Sequence, residues 1–343
     1  MKVSNQTYSI NGFLRMIGDG RDLASEEAAV LFDLLRAETR IEKLIELLNA
    51  WREKGYTSTE IASCASILRR EVKRVACRHD SFIDVVGTGG SRVKTFNVST
   101  AAALVAAGAG LPVAKHGNRA ASSKTGSADA LSELGVSLTA DSEAAGMSLN
   151  ESGICFMFAP HFHNLTKELA VARKQVGTPT IFNLLGPIAN PAGAPFQLIG
   201  IWEGSFSGIY AEAIRSLGTK RTWIVHGSDG LDEITLSGPT RVTEINERGV
   251  NHFKVSPSDF GLKDSSTDRL RVSTPKESAQ LVRAVIEGYE NGPARDLVVM
   301  NAGAALFIAD IVKDLREGRA LAEESLRSGK AAEKLKVLRG ETD

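Results

Sequence analysis

Three stretches of the chain concentrate the residue types that hold anions and metal ions. The first is Gly87-Thr88-Gly89-Gly90-Ser91, followed by Thr95, Asn97, Ser99 and Thr100. Glycines without a Cβ let backbone amides wrap an anion, and the hydroxyls and the Asn97 amide can donate to phosphate oxygens. The second begins Lys115-His116-Gly117-Asn118-Arg119 and runs to Ser127, with three cations and four hydroxyls in thirteen residues. That density suits a multiply charged anion, because charge-assisted hydrogen bonds are the strong ones. The third, His226-Gly227-Ser228-Asp229-Gly230-Leu231-Asp232-Glu233, ends on adjacent carboxylates. Beside two phosphate loops such a pair suits magnesium, which takes one or two carboxylates plus substrate oxygens and water. Each stretch alone has an ordinary reading as a tight turn, a solvated charged loop or a surface acidic pair. Their joint presence favours phosphate chemistry. His116 is as well a structural histidine as a base, so it is assigned no proton transfer. Neither common phosphate fingerprint fits: the third glycine of the dinucleotide motif would fall at Arg92, and no Walker A lysine stands at its spacing.

These loops need elements to hold them. From about residue 6 to 78 the apolar spacing is helical, as in Ile41, Leu44, Ile45, Leu48 and Trp51. Thr39 with Glu42, and Thr57 with Glu60, have capping-box spacing and predict two helix starts. A small all-helical lobe of about four helices is expected there. At Ser81 the pattern changes. Phe82 to Val86 is a β-branched run that stops at the glycines, and Leu111–Ala114, Ile154–Phe158, Gln197–Trp202 and Arg221–Val225 read as further strands. Thr100 to Ala107 reads as a helix of small side chains, with more helices near 162–175, 205–217, 274–288, 294–309 and 311–335. The alternation predicts an α/β lobe with a mostly parallel central sheet, in which ligands gather at the carboxyl ends of the strands.

Composition narrows the function classes. The 343 residues suffice for about two domains, and 43% hydrophobic with 24% charged residues describes a folded globular protein. Lysine plus arginine total 41, as do aspartate plus glutamate, so there is no general excess of positive charge for nucleic acid. Cys64, Cys77 and Cys155 suggest neither a disulfide framework nor a zinc site, and fit a reducing cytoplasmic setting. No signal peptide or membrane span is expected from the sequence.

Taken together the three loops resemble the anthranilate phosphoribosyltransferases of tryptophan biosynthesis. The matching words are Gly87-Thr88-Gly89-Gly90, Asn97-Val98-Ser99-Thr100, Lys115-His116-Gly117-Asn118-Arg119 with Ser122-Ser123-Lys124, Ile181-Phe182-Asn183-Leu184-Leu185-Gly186-Pro187 with Asn190-Pro191, and His226-Gly227 with Asp229-Gly230-Leu231-Asp232-Glu233. The resemblance implies a helical domain over 1–78, hinged to an α/β phosphoribosyl-transfer domain over 79–343. It implies a homodimer formed through the helical domains, with helices near 162–186 packing close to them. It also implies transfer of phosphoribose from phosphoribosyl pyrophosphate to the amine of anthranilate, with magnesium as cofactor. By position, Gly87, Gly90, Ser91, Thr95, Asn97, Ser99, Thr100, Lys115, Ser123 and Ser127 are expected at the donor site. Gly87, Asn118 and Arg173 are expected against anthranilate, and Ser99, Asp232 and Glu233 on magnesium. No side chain is expected to act as a nucleophile or as an acid or base.

Three positions depart from the family pattern: Ser91 stands for a usual aspartate, Asn164-Leu165-Thr166 follows His163 in place of Pro-Ala-Met, and Pro179 replaces a common arginine. Two alternatives share the fold. A pyrimidine nucleoside phosphorylase places a serine and a lysine shortly after its base-binding arginine, whereas here no lysine lies between Lys174 and Lys220. A non-catalytic nucleic-acid-binding relative would rely on a basic surface, which the balanced charge does not favour.

Overall fold

The protein is described from a computed structural model covering residues 8–91, 93, 95–120 and 125–341. It opens with helices α1 (Ile10–Gly18), α2 (Ser25–Ala37), α3 (Ile41–Lys54) and α4 (Ser58–Glu71). The capping box predicted at Thr57 forms: the Thr57 hydroxyl accepts from Glu60 N at 3.2 Å, and Glu60 Oε2 accepts from Thr57 N at 3.0 Å. Glu60 is fully buried and also receives Leu23 N and Trp51 Nε1, with Lys54 Nζ 3.0 Å away, so one carboxylate joins the starts and ends of three helices. The box predicted at Thr39 does not form. Arg40 is the N-cap of α3, and the Glu38 carboxylate takes the Thr39 and Arg40 amides, leaving the threonine no orphan donor to satisfy.

The chain then alternates: β1 (Ile83–Gly87), α5 (Val98–Gly108), β2 (Val113–Gly117), α6 (Ser127–Glu133), α7 (Ser142–Ser152), β3 (Ile154–Phe158), α8 (Ala159–Phe162), α9 (Lys167–Val176), α10 (Ile181–Ile188), β4 (Phe196–Gly200), α11 (Ser207–Leu217) and β5 (Arg221–Gly227). Strands β6 (Thr240–Asn246) and β7 (Gly249–Val255) follow, then α12 (Pro275–Ile286), α13 (Pro293–Ile308), α14 (Leu315–Arg327) and α15 (Lys330–Arg339). The seven strands form one sheet in the order β3-β2-β1-β4-β5-β6-β7. All pairs up to β5 are parallel, and β5-β6-β7 are antiparallel. The fold is α/β with a mostly parallel sheet, as expected. The β6–β7 hairpin is not among the strands the sequence predicts, because its Thr, Arg, Glu, Asn and His residues break the hydrophobic alternation that marks a strand. The helix expected over 311–335 is two helices, separated by Gly329 at φ +77.

Among the described residues, two large cores and one smaller cluster, around Phe82, Ala114 and Met157, pack against the sheet. Helix α5 is buried along nearly its whole length, and its alanines let α13 and α15 pack close to it. The other large core joins Phe13, Leu31, Leu47 and Trp51 of the first helices to Leu169 of α9, Phe182 of α10 and Ile199 of β4. Helix α9 packs on α3, and α10 packs on α4, so the wall formed by α9 and α10 shares a core with the first four helices.

Candidate active site

The strand order reverses between β1 and β4, whose ends pair Gly87 with Gly200. An open crevice lies outside the carboxyl ends of strands at such a point. Here it is a cleft of about 310 Å³, lined on one side by the loops after β1, β2 and β5 and on the other by α9 and α10.

The glycine loop is held from below. Thr88 N and Oγ1 both donate to Gly200 O, at 2.8 and 3.1 Å, and Trp202 N donates back to the Thr88 hydroxyl at 3.1 Å. Gly90 has φ +83, and a Cβ on it would lie 2.4 Å from the Pro179 ring, so two constraints require glycine. Asn97 leads into α5, and its Oδ1 accepts from Thr125 Oγ1 and Ser278 Oγ, both at 2.6 Å. Ser99 lies in the first turn of α5, whose amino end meets the cleft and adds free amides and a positive dipole end.

Lys115 lies in β2 as a buried cation, donating to Val85 O at 2.5 Å. Beneath it Asp84, fully buried, accepts from Asn190 Nδ2 at 2.7 Å and His116 N at 3.3 Å. Burial pushes the Lys115 pKa down and that of Asp84 up, and the attraction between the two opposes both shifts. The acidic loop crosses Gly200 so closely that a Cβ there would stand 1.7 Å from the Asp232 carbonyl oxygen. This crossing turns the Asp232 carboxylate toward the glycine loop, with Oδ2 3.3 Å from where a Cβ on Gly87 would be. Asp229 is absorbed structurally, accepting from Thr235 Oγ1, Thr267 Oγ1 and Leu231 N. Ser99, Asp232 and Glu233 all line the cleft, and their oxygens, without sulfur or imidazole, are the hard donor set magnesium takes when phosphate oxygens and water complete its shell.

The opposite wall is different in kind. Arg173 on α9 is half-buried, its guanidinium 5.0 Å over the Phe182 ring, and its Nε–H is sealed from solvent without a partner among the described residues. Desolvation holds its guanidinium down to about 10, so it remains charged at neutral pH. A desolvated cation with an uncommitted donor at a cleft suits a carboxylate. His116 gives its Nδ1 to Gly186 O at 3.0 Å and has no partner on Nε2 among the described residues. The His163 ring stands 5.1 Å away. Burial lowers His116 to about 3 and His163 to about 4, so both are neutral at pH 7.

Of the residues expected from the sequence, Gly87, Gly90, Thr95, Asn97, Ser99, Lys115, Asn118, Ser127, Arg173, Asp232 and Glu233 line the one cleft. Ser91 is placed beside it: its buried hydroxyl lies 2.9 Å from Gly230 O and 2.8 Å from Val93 O, tying the glycine loop to the acidic loop. Thr100 is buried under the start of α5. Ser123 lies outside the described residues. Phe182, Asn183 and His163 also line the cleft; the first two stand in the Ile181–Pro187 word of the family resemblance, but the sequence alone gives none of the three a role.

Residues 79–332 match the family model described as the glycosyl transferase family, a/b domain. The chain is 46% identical to the anthranilate phosphoribosyltransferase of Rhodospirillum rubrum over 327 residues, 95% of this chain and 94% of that protein. It superposes on the anthranilate phosphoribosyltransferase of Thermus thermophilus with TM-score 0.86 and 39% identity, covering 96% of this chain and 98% of the other. The Saccharomyces cerevisiae enzyme of that name, solved with phosphoribosyl pyrophosphate and magnesium, superposes with TM-score 0.84 and 28% identity over 97% of both chains. With sequence and superposition in agreement along nearly its whole length, the chain belongs to the anthranilate phosphoribosyltransferase family.

Proposed function

We infer that this protein transfers the phosphoribosyl group of phosphoribosyl pyrophosphate to the amino group of anthranilate, forming N-(5-phosphoribosyl)anthranilate and releasing pyrophosphate, in tryptophan biosynthesis. One observation carries the reading: a loop system built for a polyphosphate and a desolvated arginine stacked on an aromatic ring face each other across a single cleft. The amine nitrogen forms a bond to the anomeric carbon as the bond from that carbon to the pyrophosphate oxygen breaks, and the amine proton is released to solvent or product. Such a displacement needs no nucleophilic side chain, and catalysis lies in alignment and in stabilising the leaving charge.

In this reading Gly87, Gly90, Thr95, Asn97, Ser99 and Ser127 surround the donor, and Lys115 supplies a fixed cation. Arg173 pairs with the anthranilate carboxylate, with Asn118 and Gly87 at the meeting of the two substrates. Ser99, Asp232 and Glu233 would hold a magnesium ion, which when bound offsets charge developing on the pyrophosphate. The yeast relative solved with both phosphoribosyl pyrophosphate and magnesium supports the use of magnesium with this donor. The reading includes a hinge near residue 78 between a helical domain and an α/β domain, a homodimer through the helical domains, and a cytoplasmic location consistent with three free cysteines. Among the described residues no helix is long and apolar enough to cross a membrane. The test is the loss of anthranilate fluorescence on mixing with enzyme. It should require both phosphoribosyl pyrophosphate and magnesium, and a loss independent of the donor would reject the activity.

A further inference from the structure

We propose that Asn183 is the positioning residue that sets the distance between the two substrate half-sites, an inference that rests on the transferase reading above. Its side-chain amide is committed at both ends. Oδ1 accepts from Thr180 N at 3.0 Å and so starts helix α10, while Nδ2 donates to Thr88 O at 3.0 Å across the cleft. Each bond belongs to a different substrate. Thr88 lies within the glycine loop and is fixed to β4 by its two bonds to Gly200 O. The first turn of α10 carries Phe182, on which the Arg173 guanidinium is stacked. A single planar amide therefore joins the donor floor to the acceptor wall, through covalent geometry that does not stretch. Pro179, seated against Gly90, makes a second contact between the same two segments.

In a reaction without a covalent enzyme intermediate, the rate depends on holding nitrogen, anomeric carbon and leaving oxygen in line. Neither substrate needs the Asn183 bond in order to bind, because the donor rests on the glycine loop and Lys115 and the acceptor on Arg173. Loosening the clasp should thus reduce turnover while leaving both binding steps nearly intact.

Asn183→Asp separates this role from a structural one, since a carboxylate still accepts from Thr180 N at a helix start but cannot donate to Thr88 O. The measurement is the single-turnover rate with enzyme in excess over anthranilate, followed by fluorescence, together with the KM of each substrate and the thermal midpoint. Asn183→Asp should slow the chemical step by ~10–100-fold, the loss expected for misplacement approaching ~1 Å, with each KM within about threefold of wild type and the midpoint lowered less than in Asn183→Ala, because the helix cap is kept while the bond to Thr88 O is lost. Asn183→Ala, which removes the cap as well, should show the same rate loss and a lowered midpoint. An Asn183→Asp enzyme at the wild-type rate, or one altered only in KM, overturns the proposal while the transferase reading stands. A wild-type enzyme that does not consume anthranilate overturns the reading and this proposal together.

Discussion

Gly200→Ala tests how the acidic loop is positioned. The new Cβ would stand 1.7 Å from the Asp232 carbonyl oxygen and 2.6 Å from its carbonyl carbon. Both are backbone atoms, so no side chain can swing away, and the loop must retreat by more than ~1 Å to reach ordinary van der Waals separation. Gly200 itself cannot yield instead, because it pairs with Gly87 and Val225 and accepts from Thr88. Overpacking of this kind costs ~1–3 kcal/mol of stability. The catalytic effect should be larger. A ~1 Å shift of groups that hold a reacting substrate can cost ~100-fold, and here the shift falls on Asp232, whose carboxylate is proposed to hold magnesium. We expect kcat/KM for phosphoribosyl pyrophosphate to fall by ~100-fold and the half-saturating magnesium concentration to rise. Gly208→Ala is the control: this glycine is exposed on α11, with nothing within 4 Å of the position an added methyl would take and no positive φ. It should leave activity unchanged and stabilise by ~0.5–1 kcal/mol through helix propensity. Initial rates against free magnesium, with thermal melts of both variants, make the comparison. Wild-type turnover and magnesium dependence in Gly200→Ala would refute the argument that this crossing sets the carboxylates.

Replacing Asp232 and Glu233 with Asn and Gln together should lower turnover by ~100-fold or more, because metal charge stabilisation is worth several kcal/mol; an active, folded double variant would reject their role. Arg173→Ala should raise the anthranilate KM and leave the donor KM nearly unchanged, since only one substrate loses a partner; a change confined to the donor KM would move the arginine to the other site. The buried histidines predict acid sensitivity. Their folded pKa values, about 3 for His116 and about 4 for His163, lie below the unfolded value near 6.5, so the unfolded state binds more protons between these limits. The stability they contribute is present above about pH 6.5 and is lost as pH falls, by up to ~1.4 kcal/mol per pH unit for each. Asp84, shifted upward by burial, works in the opposite direction, so His163→Gln is the needed comparison. Urea midpoints at pH 7.5 and 5.5 should differ less in that variant than in wild type, and equal differences would show that His163 does not carry the effect.

Much of the site is legible in the sequence because its loops follow directly from strands. Gly87, Lys115 and Asp232 announce themselves by residue type beside short β-branched runs, and the parallel sheet then brings the loops to one edge. What stays hidden depends on contacts between distant segments. Ser91 sits amid hydroxyls that suit a phosphate, yet its own hydroxyl is turned to Gly230 O, a partner 139 residues away. Thr39 has the capping-box spacing but loses the cap position to Arg40 because Glu38 satisfies the local amides first. Asn183 reads as one letter of a family motif, and only the fold shows that its amide spans two bodies.

The hairpin at the end of the sheet has a consequence for the protein in concentrated solution. Five parallel strands left with a bare outer strand at β5 would offer unpaired amides and carbonyls to any neighbouring chain. β6 covers that row, and β7 then becomes the margin, with Asn251, His252 and Lys254 exposed along it. A rim carrying a lysine and other polar side chains is a poor template for further strands, so this edge of the sheet is closed to end-to-end polymerisation into fibres by a segment whose polarity kept it from reading as strand.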